Sequence, residues 1–211
     1  MQDFEYPLKA SDLEFQARIL LPDGAELQER NGAFVCTYAL DGLALMRIHC
    51  SDNGLFTFLG TMQALPGKVR KDELGAELLQ MLDEDSAASM SRLSESVLKS
   101  EQSLKCIIME VRPSEQEDSE DYYLARVFAA GMPPLLLIDA GNYRIPTRSG
   151  IPLGISEDLE QPLQSLEWDR GGTLHMHTEI AGALNLESLH QSLVECNLEQ
   201  YGEAIHVRLQ A

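Results

Sequence analysis

The chain has 211 residues, 44% hydrophobic and 24% charged, enough to bury a core without disulfide or metal staples and too apolar for a disordered segment. Sixteen basic against 34 acidic residues give a formal net charge of -18, which opposes nucleic acid and anionic membranes and favours basic or amphipathic protein segments as partners. No apolar run of about twenty residues occurs. Met1 to Lys9 carries Asp3 and Glu5 where a secretory signal would be basic and then apolar, so a cytoplasmic protein is expected.

In chain order, Leu13, Phe15, Ala17, Ile19 and Leu21 alternate and predict a strand, against a competing capping box from Ser11 and Glu14. Pro22-Asp23-Gly24 and Asn31-Gly32 mark turns. Ala33 to Leu40 and Leu43 to Cys50 form a hairpin if Asp41-Gly42 is a two-residue type I′ turn, and Leu55 to Thr61 extends it into a meander. Helices follow over about Asp72 to Leu82, with Leu74, Leu78 and Leu82 on one stripe, and over Ser86 to Glu101, with Met90, Leu93 and Val97. Leu104 to Val111 and Tyr122 to Phe128 read as a second hairpin around an acidic loop, and Leu135 to Asp139 as a short strand. Prolines and glycines make 141–162 irregular. A strand near Thr173 to Ile180 and a helix from about Leu186, capped by Asn185, close the pattern, while Ala204 to Leu209 suits either a helix or a strand.

The expected fold class is therefore α+β, a twisted antiparallel sheet packed with helices in strand-connector-helix units. One domain covers 1–211, with the hairpin and Pro/Gly-rich insertion at about 104–170 left unassigned. A two-residue Asp41-Gly42 turn sets Tyr38 opposite Leu45 and Phe34 opposite His49, so that Phe34, Tyr38, Leu45, Phe56 and Phe58 share one face. The opposite face is apolar too. Either the C-terminal half or a partner must cover the aromatic side, and these five residues are the candidate partner-binding set.

Chemistry-bearing patterns are few. His175, His177 and Glu179 alternate on one strand and all project from one face, with Leu174, Met176 and Ile180 on the other; a polar solvent face is the plain reading and an iron or zinc site the sharper one. Cys36, Cys50, Cys106 and Cys196 lack Cys-x-x-Cys spacing and read as reduced packing residues. No nucleophile elbow, phosphate-binding loop, dinucleotide fingerprint or His-Glu-x-x-His motif occurs. No catalytic residue, metal or cofactor is assigned, and a non-enzymatic protein is expected.

Two segments share a layout of strand, short Ala-Leu connector and amphipathic helix: Leu55 to Pro66 with the helix after it, and Thr173 to Ile180 continuing through Ala183-Leu184. In this the chain resembles class I type III secretion chaperones of the CesT kind and the related YbjN-type fold. The resemblance implies a homodimer that keeps an effector-like segment of a secreted protein soluble and export-competent. An acidic immunity or regulatory protein that neutralises a basic partner is the alternative, and a metal-dependent enzyme built on His175, His177 and Glu179 is a third reading.

Overall fold

The structure, a computed structural model, describes the chain apart from residues 12, 40–41, 83–84, 115–121, 140–141, 146, 157–161, 179–190 and 192–203. Its strands build two antiparallel sheets packed face to face. Sheet I has the order β1-β2-β13-β12-β9-β10, from Gln2–Ala10, Leu13–Leu21, His206–Gln210, Thr173–His177, Leu136–Asp139 and Asn142–Arg144. Sheet II has the order β11-β8-β7-β6-β5-β4-β3, from Gln164–Asp169, Tyr122–Ala130, Gln102–Pro113, Gly54–Ala64, Leu43–Ser51, Ala33–Ala39 and Glu26–Arg30. The helices α1 (Asp72–Met81) and α2 (Ser86–Ser100) follow β6 and pack on the outside of sheet II.

Alternation explains the sandwich. In β2 the buried Leu13, Phe15, Ala17, Ile19 and Leu21 face inward, and the exposed Glu14 and Gln16 lie between them. They meet Met46, Ile48, Leu55, Leu59, Ile107, Met109 and Val127 of sheet II, together with Leu137, Leu174, Met176, Val207 and Leu209 of their own sheet. The alternate positions of sheet II, among them Leu45, Phe58, Leu104, Cys106 and Ile108, form a second core with Leu74, Leu78, Leu93 and Val97 of the helices. Sheet II is thus apolar on both faces because it is the middle layer. Gly75 lets α1 come close, since a Cβ there would lie 2.4 Å from Leu43 Cδ2. The Asp85 side chain caps α2 by accepting from the Ala87 and Ala88 amides, both at 2.9 Å.

This architecture corrects the expected fold class. Strand residues dominate, and among the described residues the layers are sheet on sheet with α1 and α2 on the outside of sheet II, not a single twisted sheet of strand-connector-helix units. The region 104–170, left unassigned in the sequence, supplies most of β7 and all of β8 to β11, with β7 and β8 in the interior of sheet II. The stretch expected to be irregular crosses the end of that sheet, where Leu153 exchanges backbone bonds with Leu104 at 3.0 and 2.9 Å.

The register of the first hairpin also differs. Arg30 pairs with Ala33 across Asn31-Gly32, whose φ values of +52° and +74° make this the tight two-residue turn. Ala39 pairs with Leu43, so three residues separate those strands, and Tyr38 lies opposite Ala44 rather than Leu45. A one-residue slip turns every side chain of β4 to the opposite face. Ser11 turns the β1–β2 hairpin with a φ of +48° and caps no helix. Ala204 to Leu209 resolves largely into strand β13, and the helix expected from Leu186 with its Asn185 cap falls outside the described residues. Among the described residues no helix is long and apolar enough to cross a membrane.

Candidate functional site

The candidate partner-binding residues divide between the two cores. Leu45, Phe56 and Phe58 are buried beneath α1 and α2. Phe34 and Tyr38 turn the other way, toward the inter-sheet side. The Phe34 ring packs on Tyr6 with centroids 4.2 Å apart, and the Tyr38 hydroxyl donates to the Asp23 carbonyl at 3.1 Å. These five side chains therefore form no common surface. The face that a twin or guest polypeptide was expected to shelter is sheltered by the chain's own helices.

Buried polar groups are a better guide, because each costs stability unless it is bonded. Three histidines stand out. His175 and His177 alternate with the core residues Leu174 and Met176 on β12, as the spacing predicts, and so lie on the outer face of sheet I. They are not on a solvent face: His175, His177 and His206 are only 1%, 5% and 0% exposed. His206 opens β13 and pairs with His177 on one side and Leu20 on the other. His175 Nδ1 lies 3.1 Å from His206 Nε2, with the rings stacked at 5.3 Å and 8° apart.

His177 Nδ1 lies 2.8 Å from the Thr178 carbonyl, which only accepts, so that nitrogen carries the proton. Burial pushes the His177 imidazole below the ordinary histidine range, and the Thr178 carbonyl opposes the shift in part. His206 is pushed further down, first by burial, then by His175 and His177, and then by Arg208 and Arg18. Burial thus favours the neutral form of His177 and His206 within this group of three buried imidazoles. Glu179, the third member of the sequence pattern, lies outside the described residues. His206 went unassigned in sequence, although the apolar Ile205, Val207 and Leu209 alternate with His206, Arg208 and Gln210 as strand positions do.

Glu110 is the other buried ionisable group of note. Its Oε2 accepts from the Ser86 amide at 3.1 Å, and its Oε1 lies 2.7 Å from Arg112 Nη2 and 3.8 Å from Arg126 Nη1. It ties the start of α2 to sheet II, where the orphan amides of a helix N-terminus favour a carboxylate. Cys36 and Cys106 are free and buried, and burial pushes their thiols up to about 11 and about 12, so neither supplies a thiolate nucleophile.

No protein-family model matches the chain, and no curated protein matches it in sequence. Solved structures do match in fold. RsbX, in complex with magnesium, is 12% identical with a TM-score of 0.54, and the match covers 98% of this chain and 99% of that one. PppA, a key regulatory component of the type VI secretion system in Pseudomonas aeruginosa, is 10% identical with a TM-score of 0.55, covering 98% and 100%. The catalytic domain of the serine/threonine phosphatase PstP, in complex with two manganese ions, is 10% identical with a TM-score of 0.52, covering 92% and 96%. The chain therefore has the fold of PP2C-type phosphatases and the regulators related to them.

That finding overturns the resemblance to type III secretion chaperones, and with it the effector partner, the homodimer and the alternative of an acidic immunity protein. The expectation of a non-enzymatic protein rested on missing motifs, and a fold shared with phosphatase catalytic domains removes that basis. Magnesium and manganese take oxygen ligands, chiefly carboxylates. Among the described residues no three His, Cys, Asp or Glu side chains converge to hold a metal ion, and the buried histidine cluster offers imidazole nitrogens. The described residues do not fit such a centre, and no metal-dependent step follows from them.

Proposed function

We propose that the chain acts in the control of protein phosphorylation, as a phosphatase-type domain whose ligand is a phosphoseryl or phosphothreonyl side chain of a regulatory protein. One observation supports this reading: the likeness in fold to RsbX and PppA runs over nearly the whole of both chains and not over a single pair of sheets. The absence of an available thiolate among the described cysteines is consistent with it, because a covalent phosphocysteine route is not served.

The test is retention. The purified chain, immobilised, is challenged with host lysate before and after the lysate has been stripped of phosphate by a broad-specificity phosphatase. Retention of a protein from untreated lysate alone is the expected result; equal retention from both, or from neither, refutes the reading.

A further inference from the structure

The two helices do not cover all of sheet II. Beyond α1 the last strands continue, and a cleft of about 440 Å³ opens between α1 and the outer face of β3, β4 and β5. The volume lies in the range of small-ligand sites. Its floor is made of short side chains, Ala33, Val35 and Thr37. Its walls carry Arg30 and Gln28 from β3, Arg47 from β5 and Gln80 from α1.

The charge is the informative feature. Across the chain acidic residues outnumber basic ones by 34 to 16, yet this cleft is lined, among the described residues, by two arginines and side-chain amides and by no carboxylate. Arg47 is held in place by donating to the Leu79 and Leu82 carbonyls at 2.9 and 3.0 Å, which also closes the C-terminal end of α1. Arg30 is exposed and donates to the Gln28 side chain. Guanidinium forks and amide donors together suit a phosphoryl group. The cleft also borders β3, the last strand of sheet II, whose outer edge meets no further strand among the described residues. An extended segment pairing there would present side chains toward the cleft at every second position.

We infer that this cleft is a docking site for the phosphorylated segment of the partner protein, which runs along β3 and places its phosphoryl group between Arg30 and Gln80. The inference rests on the reading that the ligand is a phosphoprotein. It assigns that ligand a site remote from the histidine cluster and on the other sheet.

The probe is a short fluorescein-labelled peptide of alternating Val and Thr around one phosphoserine, with its unphosphorylated twin, titrated by anisotropy against the full chain. Arg30→Glu and Gln80→Glu alter exposed residues on the two walls and should each weaken phosphopeptide binding by about tenfold or more, the worth of one charge-assisted hydrogen bond. Lys99→Glu, on exposed α2 surface, changes net charge as much as Arg30→Glu and should leave binding unchanged. Thermal melting of each variant verifies that it is folded. Failure of the parent to bind the phosphopeptide, equal binding of the twin, indifference to Arg30→Glu and Gln80→Glu, or an equal loss in Lys99→Glu would each overturn the inference. Repeating the lysate retention with Arg30→Glu separates the two readings: a phosphoprotein still retained sinks the cleft and spares the function, whereas a parent that binds the phosphopeptide but retains no phosphoprotein does the reverse.

Discussion

Sheet II carries Leu45, Phe56 and Phe58 on its outer face beneath two helices, whereas the outer face of sheet I carries His175, His177 and His206, buried as deeply. The first face gains stability by removing hydrocarbon from water, an effect nearly indifferent to pH. The second gives up some of that gain to bury three imidazoles, and its stability depends on His177 and His206 staying neutral. Similar burial thus produces two different sensitivities, one to side-chain volume and one to protons.

The largest effect that separates the faces is expected from Phe58→Ala, which empties the centre of the helix-covered core and should cost about 3–5 kcal/mol in chemical denaturation. A cost within error of zero would mean that α1 and α2 do not seal that face. Glu110→Ala should cost about 1–3 kcal/mol, because it leaves the Ser86 amide buried without its acceptor. Asp85→Ala should cost about 1 kcal/mol through loss of the α2 cap.

The smallest effect at neutral pH belongs to the histidines, and it grows on acidification. Burial holds His177 and His206 below the ordinary histidine range, so the unfolded chain takes up protons that the folded chain refuses. Their contribution is complete above about pH 6.5 and is lost as pH falls toward the folded-state values. Melting temperatures recorded from neutral to mildly acidic pH should therefore fall, and His206→Gln should flatten that decline. A variant with the same acid slope as the parent would show that other groups set it.

How legible was this in the sequence? The elements with strong local period were: β2 from its alternation, α1 and α2 from their leucine and Met90-Leu93-Val97 stripes, and the β7–β8 hairpin around its acidic loop. What failed was non-local. The register of β4 against β5 turned on whether two or three residues join them, and one residue's difference sent Phe34 and Tyr38 to the opposite side from Leu45. The double apolar face of sheet II was legible, but its cover was not, because nothing in 33–61 says that α1 folds back on it. The histidine alternation was likewise visible, while burial depends on which elements pack over that face. β1 was missed because its half-exposed, charged pattern lacks a clean apolar period.

The position of β13 has a consequence for how the molecule is made. Residues 206–210 lie between β2 and β12, so β2 reaches the rest of sheet I only through a strand translated long after it. On the ribosome, sheet II with its two helices has all of its interior strands once Ala130 has emerged, but sheet I stays in two pieces until residues 206–210 clear the exit tunnel. During that interval the inward side of sheet II faces the cell uncovered. Vectorial synthesis therefore leaves this sandwich incomplete for a long interval, which ends only when residues 206–210 join β2 to β12.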